Sequence, residues 1–236
     1  MQTELHSAAA RGHAKFDWLD TYHYFSFGQY HNPARVHFGA LRVINDDHID
    51  AGMGFGKHPH DNMEIVTIPL EGDLHHNDST GRDEIIRAND VQIMSAGSGI
   101  YHSEYNANND KPVKLFQIWV FPKEKNIKPR YEQLTFSAAD RINKFQTVVA
   151  PDNENAVWIN QDAWFSLGDF DVNQTQTYNL HKSGSGVYLI VVNGQVKIGE
   201  QQLGARDAIA ISETDAFEFT ATAKSSLLLI EVPMQW

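Results

Sequence analysis

The sequence predicts an all-β protein made of two similar β domains, with the chemistry in the first. Three observations lead there. Short runs rich in β-branched and aromatic residues recur along the chain, as pleated strands require. Clusters of Gly, Asn, Asp and Ser separate them, which is the chemistry of tight turns. The order of runs and turns in the first half then recurs in the second.

In the first half the runs are "RVHFGALRVI", "EIVTIPL", "DVQIMS" and "VKLFQIWVF", with "EGD", "NDSTGRD" and "RAND" as the turns between them. Short strands at this spacing suggest a sandwich or barrel. The stretch 123–165 is more polar and less regular. Within it "TFSAADRINKF" predicts a short helix with Ser137 as its cap. The domain boundary is placed near residue 140, giving domains 1–140 and 141–236.

The second half opens with "GVYLIVVNGQVKIG", where Asn193-Gly194 between two apolar runs predicts a hairpin. "DAIAIS", "AFEFTA" and "SLLLIEV" follow. Phe217 and Phe219 alternate with Glu218 and Thr220, the period of a half-buried strand. "EIVTIPLEG" parallels "VYLIVVNG", "ANDVQIMS" parallels "ARDAIAIS", and "VKLFQIWVFP" parallels "SLLLIEVP". The likeness predicts two copies of one β fold.

Composition narrows the function. The chain is 42% hydrophobic and 21% charged over 236 residues, enough to build a core without staples. It has no cysteine, so disulfides, thiolate nucleophiles and iron–sulfur clusters are excluded and any metal must take nitrogen and oxygen ligands. The formal net charge of −11 argues against direct nucleic-acid binding. The scattered cations of "FPKEKNIKPR" read as a solvated loop. No apolar run of signal-peptide length opens the chain and none of about 18 residues occurs within it, so neither export nor a membrane span is expected and the cytoplasm is the default location.

The chemistry-bearing residues lie in "GKHPHDNME" and "YHSEYN". Alternate side chains of a strand share a face, so His58 and His60 point to one side, roughly 6.5–7 Å apart at the backbone. His102 and Glu104 have the same relation. Two such pairs on facing strands would make a four-ligand site open to exogenous ligands, suited to Fe, Mn, Co, Ni, Cu or Zn. Strand parity keeps Glu64 on the face of His58 and His60 as a rival carboxylate. One H-x-H alone is weak evidence, and the second pair gives the metal reading its weight. His75 and His76 are adjacent, face opposite sides of a strand and are expected to be solvated near a turn. His6, His13, His23, His31, His37, His48 and His181 have no ligand-like spacing. Gly97 and Gly99 of "SAGSGIYH" are read as a tight turn delivering His102, since the lysine and helix of a phosphate loop are missing. No serine has a partnered histidine and acid at motif spacing.

These residues resemble a known family. Gly52 to Glu64 fits the first cupin motif, G-x5-H-x-H-x3-E, and Gly99 to Asn106 matches the end of the second, G-x2-H-x3-N. Gly97 stands where the second motif usually has Pro, and seven residues rather than six separate Glu64 from Gly72. The wording of "FGALRVINDDHIDAGMGFGKHPHDNMEIVTIPLEG", "DVQIMSAGSGIYHSEYN" and "QIWVFP" is similar to the pirin family, densely over residues 10–135. "MEIVT", "IMSAG" and "HSEYN" look closest to bacterial members with quercetin 2,3-dioxygenase activity. The resemblance implies a bicupin of two jelly-roll β-barrels with one metal in the N-terminal barrel and none in the C-terminal one.

It also implies a ligand set of His58, His60, His102 and Glu104. Glu64 then stands behind them, accepting the other N–H of a ligand histidine. The implied reaction is cleavage of a flavonol's central ring by O2 with release of carbon monoxide, with Fe(II) as the expected ion and Glu104 as general base. Phe27, Phe38, Phe55 and Met94 are candidate neighbours of the substrate rings. Other pirins are iron-dependent, redox-sensitive partners of transcription factors or metabolic enzymes, and the same ligands serve that non-enzymatic reading. A metal-dependent isomerase or another dioxygenase on the same barrel is a third. A monomer is expected.

Overall fold

The computed structural model describes residues 1–236 and contains 22 strands and two short 3-10 helices. The strands form two seven-stranded and two four-stranded sheets. The first half contributes Leu41–Ile49, Val113–Val120, Glu64–Glu71 and Asp90–Ser95 as successive neighbours in one large sheet. The second half contributes Trp164–Phe170, Ser225–Pro233, Ser185–Asn193 and Ala208–Ser212 in the same arrangement. The three sequence parallels therefore occupy matching positions. In the small sheets, Gly54–His60 beside Ile100–Asn106 corresponds to Thr175–Asn179 beside Ala216–Ala221. All but one of the strand pairings are antiparallel, the exception being the short Phe145–Ala150 and Val157–Trp158 pair.

Period-2 alternation decides what each large strand does. Phe116, Ile118 and Val120 face the other half and join a 27-residue core, together with Val66, Ile68, Phe165, Tyr188, Ile190, Leu228 and Ile230. That core draws on both halves, so the large sheets pack back to back. Leu115, Gln117 and Trp119 have the opposite parity. Leu115 belongs to a separate apolar cluster, and Gln117 hydrogen-bonds inside the first half. Fully burying each large apolar side chain contributes about 1.5–3 kcal/mol, so this shared core is the main bond between the halves.

Each large sheet carries a further strand beside its four matching ones, at the same edge. Arg130–Thr135 pairs with Asp90–Ser95. The N-terminal strand Gln2–His6 crosses to the second half and pairs with Ala208–Ser212.

Local expectations meet mixed outcomes. Ser137 does cap a turn of helix, accepting a hydrogen bond from Ala139 N–H, but the helix is the 3-10 turn Ala138–Arg141. Phe217 and Phe219 are buried and Glu218 exposed. The hairpin at Asn193-Gly194 does not form. Ser185–Asn193 pairs with Ala208–Ser212 and Ser225–Pro233, while Val196–Ile198 pairs with Gln201–Leu203 and Ala216–Ala221 in the small sheet. Gly194 has φ +88°, and a Cβ there would lie 2.2 Å from the Lys224 carbonyl oxygen. The glycine serves a close crossing between sheets rather than a two-residue turn.

Candidate metal centre

The site lies in the small sheet of the first half. Gly54–His60 and Ile100–Asn106 run antiparallel, with His58 opposite His102 and His60 opposite Ile100. Asp73–Asp78 flanks the other side of Ile100–Asn106, with Asp78 opposite His102 and His76 opposite Glu104. The turn before Ile100 works as the glycines suggested. Gly97 has φ +49°, and its Cβ would fall 2.1 Å from the Ile127 carbonyl oxygen. Proline, fixed near −65°, could not stand there.

Ring nitrogens of His58, His60 and His102 lie within 4.8 Å of one another. The ring centroids are 4.8 Å apart for His58 and His60, 4.4 Å for His58 and His102, and 4.9 Å for His60 and His102. Glu104 stands in a second group, with His76 and His102, at the same mutual closeness. His102 is thus common to both groups. A β-bulge displaces Glu104 from the H-x-H pair, since two residues, Gly56 and Lys57, oppose Ser103. The same bulge lets Phe55 line the cavity with His58 and His60 despite its odd spacing.

The protonation of these groups suits a cation. Burial and the neighbouring imidazoles of His102 and His58 push His60 down to about 4. Burial and the rings of His58 and His76 push His102 down to about 3. Both rings are neutral near pH 7, as metal ligands must be. His58 donates its Nδ1–H to the Gly56 carbonyl at 2.8 Å, which leaves its Nε2 lone pair free. Both ring nitrogens of His102 are buried without a hydrogen-bond partner, an arrangement costly without a ligand. Three clustered imidazoles beside a buried carboxylate, in a chain without thiols, fit one metal ion.

Residues not singled out from the sequence complete the surroundings. Gln117 donates to Glu104 Oε2 at 2.6 Å, Trp119 Nε1–H donates to Gln117 Oε1 at 3.3 Å, and Thr67 reaches Glu104 Oε1 at 3.5 Å. The Trp119 ring stands edge-on to His60 at 5.0 Å. A polar Gln at the inward parity of "VKLFQIWVF" was the signal available for this brace.

A cavity of about 570 Å³ opens over His58, His60 and Glu104. Phe16, Trp18, Phe27, Phe55 and Trp119 wall it, with Thr21, His23, Asn45 and Asp47 among its polar lining. Asp47 accepts a hydrogen bond from Thr21 Oγ1, and burial lifts its carboxyl to about 7.

Several expectations are corrected. Phe27 and Phe55 line the cavity, but Phe38 and Met94 do not. Phe38 packs on the core between the halves, and Met94 is buried with Ile65, Ala96 and Ile100. Glu64 was expected to receive a ligand histidine's N–H. Its Oε2 instead accepts from Ser95 Oγ at 2.7 Å and from the Asn160 backbone N–H at 3.1 Å. The shared-face argument fails because the chain turns at Asn62, φ +44°, so that Glu64 begins a strand of the large sheet while His60 ends one of the small sheet. His75 does lie half exposed against Asp83. His76, expected to be solvated, is fully buried, because "LHHND" belongs to the strand Asp73–Asp78 and parity sends His76 inward with Leu74 and Asp78.

Comparison with known proteins decides the family. The pirin family model matches residues 5–120, and the model described as the quercetinase C-terminal cupin domain matches residues 147–232. Over 97% of its length the chain is 42% identical to the quercetin 2,3-dioxygenase of Escherichia coli (strain K12), covering 98% of that protein.

The chain belongs to the pirin family.

The bicupin expectation therefore stands, with jelly-roll-like sheets in each half. A pirin-like protein of Caulobacter vibrioides is 38% identical over 93% of the chain and 95% of its own length. The crystal structure of the bacterial pirin YhhW from Escherichia coli in complex with nickel(II) superposes with a TM-score of 0.93 at 39% identity, covering 98% of this chain and 99% of that one.

Proposed function

We propose that the chain is a metal-dependent dioxygenase that opens the central ring of quercetin-like flavonols with O2 and releases carbon monoxide. One observation carries the reading: His58, His60 and Glu104 line a cavity walled by aromatic rings, and His102 stands within reach of all three from behind. The cavity volume is that of a small-molecule site, and flat fused rings match its Phe and Trp walls. The name of the E. coli relative supports the substrate class.

His58, His60, His102 and Glu104 are the proposed ligands of one divalent ion, Fe(II). A divalent ion there would lower the pKa of a flavonol 3-hydroxyl bound to it. Glu104 accepts that proton as general base, and Gln117 holds its carboxylate toward the cavity. Asp47, poised near neutrality, keeps a proton available on the cavity wall. Phe27, Phe55 and Trp119 exclude water and fix the plane of the rings. O2 is the oxidant, both of its atoms enter the organic product, and the hydroxyl-bearing ring carbon leaves as carbon monoxide, so no external reductant is required.

Aerobic incubation of iron-loaded protein with quercetin tests this. Loss of flavonol absorbance with matching release of carbon monoxide is expected. No turnover with iron or any of Mn, Co, Ni, Cu and Zn would overturn the enzymatic reading. A His58→Ala protein that binds metal and turns over normally would overturn the ligand assignment.

A further inference from the structure

We propose that Asp78 and His76 are positioning residues that set the tautomer and orientation of His102. The inference rests on the metal reading above. It starts from three buried ring nitrogens without partners: His76 Nδ1, His102 Nδ1 and His102 Nε2. If one His102 nitrogen faces the ion with His58 and His60, the other carries the ring proton and needs an acceptor. An unmet buried donor is costly.

His76 Nδ1 is that acceptor. His76 Nε2 lies 2.9 Å from Asp78 Oδ2, and both side chains are fully buried. Asp78 Oδ1 is taken up by Thr80 and Arg82 donors, which leaves Oδ2 to accept from His76, so the ring proton of His76 sits on Nε2. Its Nδ1 then presents a lone pair. Nitrogens of His76 and His102 lie within 4.8 Å and the ring centroids are 5.4 Å apart, which one hydrogen-bonded water or a modest ring tilt spans. The order is Asp78 carboxylate, His76, His102, metal. Partners of this kind behind a ligand fix its tautomer and raise its basicity. Strand register builds the relay, since Asp78 and His76 sit directly opposite His102 and Glu104.

Asp78→Asn tests it almost isosterically. Asp78 Oδ1 already accepts from Thr80 N–H at 2.7 Å, Thr80 Oγ1 at 2.6 Å and Arg82 N–H at 3.4 Å. In the variant the amide oxygen keeps those donors, and the NH2 group turns to His76. That forces the His76 proton onto Nδ1, against the His102 N–H. Ni(II) affinity measured by calorimetry is expected to fall roughly 10–100-fold, while His75→Gln, on the same strand but half exposed, leaves it unchanged. Ring 15N shifts of the Zn(II)-loaded wild type are expected to show His76 as the Nε2–H tautomer and the free His102 N–H hydrogen-bonded.

An Nδ1–H tautomer at His76 in the wild type would overturn the proposal, even if Asp78→Asn failed to fold. So would unchanged Ni(II) affinity in a folded Asp78→Asn protein. A wild type that bound neither metal would instead sink the metal reading beneath it.

Discussion

The two halves share one sheet order and differ in what fills them. Inside the second half, fifteen buried residues form one continuous apolar cluster that includes Phe170, Tyr178, Phe217 and Phe219. Inside the first half the apolar contacts break into clusters of six and four. Between them stand His58, His60, His76, His102 and Glu104, with the cavity above. Phe217 and Phe219 occupy the strand that corresponds to the one carrying His102 and Glu104. One scaffold thus has two solutions: fill the interior with rings and gain stability, or line it with donors and gain a site. Buried polar groups without full partners are destabilising until a ligand satisfies them. The first half should therefore owe more of its stability to a bound ion than the second.

The sharpest test of that contrast is His102→Ala. Metal binding should be lost altogether, beyond the roughly 10–100-fold that removing a supporting residue costs, with metal content after dialysis as the measure. Metal-free His102→Ala should unfold close to the metal-free wild type. Phe219→Ala should do the opposite. It should cost about 3–5 kcal/mol in denaturant unfolding, as large-to-small changes in a filled core do, and leave Ni(II) affinity unchanged. Phe55→Ala, beside the cavity, should cost less than half as much and weaken flavonol binding instead. Equal stability losses at Phe55 and Phe219 would remove the distinction between the halves.

A third test is the pH dependence set by the cavity wall of the first half. Asp47 titrates at about 7 in the folded protein against an ordinary 3.8. Between those values the folded state holds a proton that the unfolded chain has lost. Its contribution is therefore complete at low pH and disappears as pH rises through about 7. His60 and His102 act in reverse. Their values of about 4 and about 3 lie below the ordinary 6.5, so their contribution is complete above 6.5 and is lost as pH falls. Comparing Asp47→Asn with wild type cancels the histidines. In the metal-free proteins, the variant's thermal midpoint relative to wild type should be higher at pH 8 than at pH 5. The same difference at both pH values would contradict the raised Asp47 carboxyl.

Much of this was legible in the sequence, for identifiable reasons. Strand runs, the likeness of the halves and the H-x-H pair depend on period 2 within one strand, which is local. Glu64, Phe38, Met94 and the Asn193-Gly194 turn were misplaced because each depends on which sheet the next strand joins. Parity stops at Asn62, where the chain leaves one sheet for another. His76 was hidden for a related reason. "LHHND" is short, polar and bounded by turns, so its burial comes wholly from pairing with Ile100–Asn106. Gln117 carried a signal, a polar residue at inward parity, whose meaning emerged only with Glu104 opposite it.

The crossing of Gln2–His6 to the second half has a consequence for biosynthesis. Gln2–His6 is synthesised about two hundred residues before Ala208–Ser212, the strand it pairs with, and His6 Nδ1 meets the Tyr188 hydroxyl at 2.7 Å. Closing so long a stretch of chain is slow, because the loop must be ordered before its contacts stabilise it. Until then the edge at Ala208–Ser212 stays unpaired, open to another chain's strand. Residues 141–236 expressed alone would keep that open edge permanently, so self-association is the expected fate of the isolated second half. Gln2–His6 is the last stitch of a half to which it does not otherwise belong.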